Sequence, residues 1–148
     1  ERPDAIVNGV PVYDATVPKV RLYGRAITNV LARVYTLSAA IGDAMCGFRL
    51  YPLAPAVALD DARGIGARMQ FDTDIIVRLV WAGVPVVNLP TPVTYPADGV
   101  SHFDLLRDNL RMVGLHLRLA AGFLWRLPLL LARRLAAPLG PRRDAERC

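Results

Sequence analysis

Apolar positions recur with a spacing of three and four residues in three segments of the chain, and this spacing is that of an α-helix. The pattern predicts helices over 21–41 and 71–82 and a longer helical region from Ser101 onward. Gly42 and Gly83 follow the first two segments. Glycine commonly ends helices because it adopts the left-handed backbone conformation without steric cost.

Between these helices, short runs of β-branched and aromatic residues predict strands. The expected strands cover 5–9, 48–51, 84–89 and 92–95, with Pro90 separating the last two. Segments 10–19 and 55–67 carry proline, glycine and small or polar residues, so we expect loops there, the second with one helical turn at most. The alternation of strands and helices predicts an α/β fold.

The helical region after Ser101 has two chemically distinct faces. Ser101 is a suitable N-cap, and Asp104 lies in the first turn, where the helix dipole favours an acid. The two faces consist of Arg107, Arg111 and Arg118 on one side and of Leu106, Leu110, Val113 and Leu117 on the other. Pro128 is expected to break or kink this helix.

An amphipathic helix of this kind is typical of segments that lie in a membrane interface. Its uncharged stretches are shorter than the ~18–20 residues that cross a bilayer, so we expect it to lie on the membrane rather than span it. Trp125 and Arg126 suit the depth of the lipid headgroups. The alternative is a helix that packs on its own domain with its arginines facing solvent.

The charge distribution supports an anionic partner for this tail. The net charge is +5, and residues 107–147 hold nine arginines against three acidic residues, so the remainder of the chain is close to neutral. A nucleic-acid partner is not expected, because the tail's aromatic residues lie among leucines and lysine occurs once. Two cysteines are too few for a disulfide framework, and we expect Cys46 to be a buried free thiol in a reducing cytoplasmic setting.

Several side chains could handle phosphate or protons. Arg21 and Arg25 lie one turn apart beside a proline-bounded loop, and Arg49 lies two positions after Gly47, where the backbone allows close approach. Arginine suits phosphate because its planar fork makes two bonds to one oxyanion. Ser101 and His102 lie at a turn-to-helix junction, where backbone N–H groups and a titratable ring could meet an anion.

Asp72 and Asp74 form a literal D-x-D pattern, which is often associated with metal-bound nucleotide sugars. On a helix, residues two apart point in opposite directions, so we do not expect these two carboxylates to share a metal ion, and no metal site is predicted in this chain. One carboxylate turned inward could instead act as a general base toward an acceptor hydroxyl. By its position one turn before Arg78, Asp74 is the preferred candidate.

Four segments together carry a resemblance to a known family. Residues 8–29 contain Asn8-Gly9, Pro18, Arg21 and Asn29; residues 43–51 read D-A-M-C-G-F-R-L-Y; residues 69–74 read M-Q-F-D-T-D and precede Arg78, Gly83 and Pro90; residues 95–103 end in D-G-V-S-H-F. In this order they resemble family 2 glycosyltransferases of the dolichol-phosphate mannosyltransferase type. The second segment is similar to that family's D-x-x-S-G-F-R-x-Y, with Cys46 in place of the serine.

The resemblance, which covers about residues 5–115, implies a partial GT-A type α/β sandwich over residues 1–100 that forms the acceptor-side, C-terminal half of the enzyme. Residues 101–148 would then be an amphipathic, arginine-rich tail that contacts an anionic membrane surface through residues 105–143. The implied activity is inverting transfer of a sugar from a UDP- or GDP-sugar to a lipid-linked or other acceptor, at the cytoplasmic face of a membrane to which the protein is peripherally bound.

The same resemblance assigns roles to particular residues. Arg21 and Arg49 would bind phosphate or stabilise the leaving diphosphate, Asp74 would take the position of the family's acidic residue near the acceptor, and Ser101 and His102 would line the same pocket. A divalent metal, Mg²⁺ or Mn²⁺, is expected for the full-length enzyme with ligands outside this chain. Without that half, this chain is expected to bind donor weakly or not at all.

A second hypothesis is a non-catalytic, membrane-peripheral scaffold or binding module. In that case the α/β part supports an arginine-rich tail that recruits the protein to anionic lipid. Aspartate at position 74, where the family commonly has glutamate, and histidine at position 102, where it often has lysine, are the departures from the pattern that bear on the acceptor.

Overall fold

Four helices and three strands make up the part of the chain that a computed structural model describes, residues 2–14, 16–17, 19–63, 65–94 and 105–136. In chain order the elements are β1 (Ile6–Tyr13), α1 (Lys19–Thr36), β2 (Arg49–Leu50), α2 (Leu53–Arg63), a 3₁₀ turn (Arg68–Gln70), α3 (Phe71–Trp81), β3 (Val86–Val93) and α4 (Leu105–Ala136). The α/β class expected from the sequence is confirmed at this level.

The three strands form one mixed sheet in the order β2-β1-β3. The central strand β1 pairs with β3 in parallel from Ile6↔Val86 to Tyr13↔Val93. It pairs with β2 in antiparallel fashion over two residues only, Val7↔Leu50 and Asn8↔Arg49. The short partner on one side and the long partner on the other leave much of β1 with a single neighbour.

A row of polar side chains crosses the sheet at the level of Asn8. Asn8 is fully buried and is in register with Arg49 on one side and Asn88 on the other. The Arg49 Nε donates to Asn8 Oδ1 at 2.7 Å, and Asn8 Nδ2 donates to Asn88 Oδ1 at 3.0 Å. Asn88 in turn accepts from the Gly42 backbone N–H and donates to the Ala40 carbonyl, so the row also holds the loop that follows α1.

The proline residues do not interrupt the strands, and two expectations were therefore wrong. The loop predicted from Val10 onward is strand up to Tyr13, and the two strands predicted around Pro90 are one strand. Backbone N–H groups point alternately to the two sides of a strand. The Ile6 N–H bonds to Pro85 O on the β3 side, and the Gly9 N–H bonds to Phe48 O on the β2 side. The Pro11 nitrogen therefore faces the β2 side, at a level where β2 has already ended.

The same alternation explains Pro90 and Pro92. Pro85 O faces β1, so positions 86, 88, 90 and 92 direct their backbone N toward the outer edge of β3. No ladder hydrogen bond is lost there, which is the condition under which a strand tolerates proline.

The end of α1 also differs from expectation, because the helix stops at Thr36 and not at Gly42. Leu37 adopts a left-handed conformation with φ of 48°. Leu37 N–H bonds to Val34 O and Ser38 N–H bonds to Arg33 O, the paired bonds of a Schellman motif. A leucine in the position that usually holds glycine gave no signal in the sequence. Gly83, by contrast, ends α3 in the same motif with φ of 90°, as predicted.

Helix α2 occupies most of the segment that was expected to be a loop, so that prediction was wrong. Pro55 lies in its first turn, where backbone N–H groups have no intrahelical partner, and the following residues are rich in alanine. The break expected at Pro128 does not occur, because α4 continues through it to Ala136. Leu124, whose carbonyl would bond to residue 128, is exposed, so that carbonyl can be solvated instead.

The core lies where α1, α3 and α4 meet the sheet. Its fully buried members include Ile6, Ala32, Ile76, Leu79, Leu115 and Leu119. Tyr35 of α1 joins α1 to α4 by donating to the His116 carbonyl, and Trp81 of α3 donates its indole N–H to the Tyr35 carbonyl at 2.8 Å. Cys46 is a buried free thiol, as expected. The core therefore fixes α1, α3 and α4 relative to one another and to the start of β1.

Replacing Asn8 by alanine is expected to destabilise the protein by about 1–3 kcal/mol, because Arg49 Nε loses its buried acceptor. Urea denaturation monitored by circular dichroism measures the loss. Asn109→Ala, at an exposed position of α4, is the matched control and is expected to change stability by less than about 0.5 kcal/mol. Equal effects of the two substitutions would show that the polar row does not stabilise the sheet.

Candidate functional site

A cluster of charged side chains is centred on Asp43, in the loop between α1 and β2. The carboxylate is buried and accepts from Arg25 NH1 at 2.6 Å, from Asn29 Nδ2 at 3.1 Å and from the Met45 backbone N–H at 2.8 Å. Asn29 also accepts from the Ala44 backbone N–H. These bonds fix the loop 43–47 against α1 and keep a buried charge paired, without which its burial would be costly.

Arg49 joins this loop to the sheet and to α3. Besides Asn8, its guanidinium donates to the Asp43 backbone carbonyl at 2.8 Å, to the Asp72 backbone carbonyl and to the Tyr51 hydroxyl. Arginine has five N–H donors in a planar fork, and here they contact three separate segments. Arg49 therefore holds β1, the loop and the start of α3 in one arrangement.

Asp72 is a half-buried carboxylate in the same cluster. It lies in the first turn of α3, and a Cβ built on Gly47 would be 3.9 Å from each of its carboxylate oxygens. Burial raises the pKa of Asp72, and the nearby Arg49 and Arg25 partly oppose that rise. Glycine at 47 leaves the approach to this carboxylate open.

Asp74, the catalytic candidate from the sequence, lies in a different environment. Its side chain is fully buried, and it pairs with Arg78 at 2.5 Å and accepts from the Gly66 backbone N–H at 2.9 Å. The two aspartates therefore face different neighbours, as their spacing on a helix predicts. Their arrangement does not fit a shared metal ion, and no group of three or more His, Cys, Asp or Glu side chains among the described residues could hold one.

The structure brings some of the predicted phosphate-binding residues together. Arg25 and Arg49 converge on Asp43, and Arg25 also lies 5.7 Å from the centre of the Tyr13 ring. Arg21 is the third residue of α1, and the structure does not describe its side chain. Ser101 and His102 also lie outside the described residues.

The cluster combines the half-buried carboxylate of Asp72, whose pKa is raised, with Asp43 and two arginines, next to an exposed loop. Phe48 in that loop is 63% exposed, so the loop is accessible to a ligand. A carboxylate with a raised pKa is suited to accept a proton, and adjacent guanidinium groups are suited to an oxyanion. Sequence reasoning singled out Arg25 and Arg49 but gave no role to Asp43, the first residue of the D-A-M-C-G-F-R-L-Y segment.

Helix α4 presents a second feature, an apolar stripe on the side opposite its packed face. The buried residues Leu115, Leu119 and Leu130 contact the core. The outer stripe consists of Leu106, Leu110, Val113, Leu117, Leu124, Leu131 and Leu135, whose exposure ranges from 45% to 87%. At 100° per residue this stripe lies about 180° from the buried face. The helix is therefore apolar on two opposite sides.

By length and composition alone, Leu106–Ala136 is long and apolar enough to cross a membrane. Core helices of soluble proteins pass the same test, but only 17% of the most apolar part of this helix is buried. Helix α4 packs on its domain through Leu115, Leu119 and Leu130, and Arg107, Arg118, Arg133 and Arg134 are exposed, as the alternative of a packed helix with solvated arginines expects. Arg111 pairs with Asp108 at 3.1 Å, and Arg133 and Arg134 donate to backbone carbonyls of Trp81 and Leu37.

Comparison of the chain with models of known protein families, with curated proteins and with solved structures finds no significant match.

Replacing Asp72 by asparagine is expected to stabilise the protein near neutral pH. Because burial raises the pKa of Asp72, the folded state holds the carboxyl proton of Asp72 more tightly than the unfolded state does. The associated stability is present at acidic pH and is lost as pH rises through the folded-state pKa. Asparagine stays uncharged, so its advantage in thermal unfolding should be present at about pH 7 and should shrink toward about pH 4.

Asp14→Asn is the matched control for this measurement. Hydrogen bonds from Thr16 lower the pKa of Asp14, so its shift is opposite in direction to that of Asp72. The Asp14 side chain is also exposed. Asp14→Asn should therefore give no stabilisation near pH 7. A pH-independent effect of Asp72→Asn would show that ionisation of Asp72 carries no cost in the folded protein.

Proposed function

We propose that the chain is the acceptor-side part of a family 2 glycosyltransferase with a GT-A type fold. The observation that carries the proposal is the cluster of Arg25, Asp43, Arg49 and Asp72, which joins the D-A-M-C-G-F-R-L-Y segment to the start of α3. In the resemblance, the first of these segments supplies Arg49 to the phosphate or leaving diphosphate, and the second supplies the acidic residue near the acceptor. Arg49 joins the two segments by donating to the backbone carbonyls of Asp43 and Asp72.

The reaction is displacement at the anomeric carbon of a nucleotide sugar. The acceptor oxygen forms a bond to that carbon while the bond to the diphosphate oxygen breaks, and the bonding electron pair leaves with the nucleoside diphosphate. When the acceptor is a hydroxyl group, its proton passes to a carboxylate of the enzyme. We propose that Arg25 and Arg49, which both contact Asp43, stabilise the negative charge that develops on the leaving diphosphate.

Asp72 is the carboxylate that suits the role of proton acceptor best. It is half-buried, lies beside Gly47, and has a pKa raised by burial, which brings it closer to the working pH. Asp74 is the residue that the resemblance selects, yet both its oxygens are engaged, by Arg78 and by Gly66 N–H. We therefore propose that Asp72 takes the proton and that Asp74 holds α3 and the 65–70 segment in position.

By the resemblance, the divalent metal expected for this class of enzyme would be bound by residues outside this chain. Among the described residues, no group of three or more His, Cys, Asp or Glu side chains could hold one. The chemistry of that metal when bound is to neutralise the diphosphate charge. The contribution of this chain is to orient the acceptor, to receive its proton and to place guanidinium groups beside the leaving group.

The test begins with the coding DNA upstream of the codon for Glu1, which establishes the complete reading frame. Sugar transfer is then measured for the whole product with UDP- and GDP-sugars and a hydroxyl acceptor. Asp72→Asn is expected to lower kcat by about 100-fold or more with little change in KM for the donor, because general-base catalysis contributes about 10²–10⁴-fold.

Asp74→Asn is the matched comparison, because it makes the same substitution two residues away. It is expected to reduce thermal stability, since Arg78 loses its buried partner, while kcat of the remaining folded enzyme stays within about tenfold of wild type. If Asp74→Asn alone abolishes transfer in folded protein, Asp74 is the base. A reading frame that starts directly before Glu1, or a product with no transfer activity, would overturn the proposed enzyme.

The outer stripe of α4 favours a second property of the same protein, peripheral attachment to the cytoplasmic face of an anionic membrane. Helix α4 is bound to the domain near both of its ends. Near its start, the Arg111 carbonyl accepts from Gln70 of the 3₁₀ turn, and near its end, Arg134 donates to the carbonyl of Leu37, which follows α1. A helix held in this way can lay its outer face in the interface but cannot cross the bilayer without leaving its core. The non-catalytic scaffold hypothesis shares this property.

Vesicle cosedimentation of the full chain tests the attachment. Binding is expected to be stronger to vesicles with phosphatidylglycerol than to neutral ones and to weaken as salt rises. Leu117→Glu and Leu124→Glu, both on the outer stripe, should each reduce binding by about tenfold or more. Asn109→Glu, which adds the same charge at an exposed position off the stripe, should have a smaller effect. Equal binding to neutral and anionic vesicles would remove the electrostatic part of the proposal.

A further inference from the structure

A groove of about 690 Å³ lies between α2, α3 and α4 and shares no residue with the Asp43 cluster. Its walls are formed by Leu59, Arg78, Trp81, Arg118, Leu119 and Arg126. Three of these six are arginines, and none of the described residues that line it is acidic. The sequence gave no indication of this site, because its arginines come from two helices and Arg78 lies 40 or more positions before Arg118 and Arg126.

Among the described residues, the charges that surround the groove do not cancel. Arg78 pairs with Asp74, so that couple is close to neutral. Arg133, nearby on α4, donates to the carbonyl of Trp81 and so meets the negative end of α3. Arg118 takes part in none of the ion pairs found among the described residues. Arg118 therefore adds positive charge to the wall without a carboxylate of the described chain to balance it.

Arg126 and Trp81 give the groove a fixed wall. The Arg126 guanidinium lies 4.7 Å from the centre of the Trp81 ring and donates to the Gly122 carbonyl at 3.2 Å. The indole is held at its other end by its bond to Tyr35. A Cβ at position 122 would be 3.0 Å from the Trp81 ring, so glycine there allows the ring to lie against α4. The site is thus built before any ligand arrives.

We propose that this groove binds a phosphate monoester or a diphosphate group. Two guanidinium groups, Arg118 from α4 and the stacked Arg126, can each present a pair of N–H donors to phosphate oxygens. Leu119 and Leu59 form apolar walls that lower the local dielectric constant and strengthen such bonds. The inference does not depend on sugar transfer, because none of these residues belongs to the proposed acceptor site.

The phosphate could belong to a lipid headgroup or to a soluble molecule. On α4, Arg118 and Trp125 lie about 100° around the helix from the middle of the outer stripe. If that stripe faces a membrane, the mouth of the groove would be near headgroup depth. The chemistry of recognition is the same for both sources, so the experiment has to separate them.

Fluorescence of Trp81 reports on the groove directly. The chain has two tryptophans, and Trp125→Phe leaves Trp81 as the single reporter. Inorganic pyrophosphate is titrated into the full chain in one arm. In the other, phosphatidylcholine vesicles contain phosphatidic acid, a phosphate monoester, or phosphatidylglycerol, a diester, at equal lipid charge. A saturable change in Trp81 emission is expected with pyrophosphate, with phosphatidic acid, or with both.

Variants assign the signal to the groove. Arg118→Gln is expected to weaken the response by about tenfold, the equivalent of one charge-assisted hydrogen bond, and Arg118→Gln with Arg126→Gln to remove it. Arg107→Gln removes the same charge from the same helix outside the groove and should leave the response unchanged. Circular dichroism checks that each variant is folded, and Arg118→Gln is the decisive one because that side chain is exposed.

The response to each probe separates a site for soluble phosphate, a site for a lipid headgroup and general charge attraction. A response to pyrophosphate identifies a site for soluble phosphate, and a response to phosphatidic acid alone identifies a lipid headgroup site. A response of equal strength to phosphatidylglycerol and phosphatidic acid, or one that Arg107→Gln reduces as much as Arg118→Gln, would show general charge attraction and overturn the proposal. No saturable response to either probe would also overturn it.

Discussion

The hydrogen bonds between Arg49 and Asn8 are the contacts on which the rest of the structure depends. Asn8 is a polar residue with no solvent exposure in the central strand, and its amide is satisfied only because Arg49 and Asn88 lie in register on either side. Arg49 then continues to the backbone of Asp43 and of Asp72. One guanidinium thus links the sheet, the loop after α1 and the start of α3, and the proposed acceptor site exists only when all three are in place.

Asp72 and Asp74 show how two like residues, two positions apart, acquire different chemistry. The helix turns Asp74 toward Arg78 and the Gly66 N–H, where its charge is paired in a fully buried position. It turns Asp72 toward the loop, where burial is partial and its pKa is raised. The first arrangement favours rigidity, and the second favours exchange of a proton. The difference comes from their neighbours, because the residue type is the same.

The sequence allowed some of this arrangement to be predicted and not the rest, for physical reasons. Helical periodicity located α1, α3 and α4, and Gly83 marked the end of α3 correctly. The end of α1 could not be read, because Leu37 adopts a conformation that leucine rarely takes. Arg25 and Arg49 were identified by residue type. The central role of Asp43, however, depends on contacts with Asn29 and Arg25, which precede it by 14 and 18 positions, and periodicity carries no information on such contacts.

The two prolines of β3 have a consequence for how this sheet can grow. Pro90 and Pro92 direct their nitrogen atoms toward the outer edge of the strand, and neither carries a hydrogen to donate. Beyond Asn88 that edge offers a new strand few donors, although Leu89 is half exposed and apolar. An added β-strand could bond regularly only near 86–88. The prolines therefore disfavour edge-to-edge association between copies of the protein, and they limit any further strand to the N-terminal end of β3.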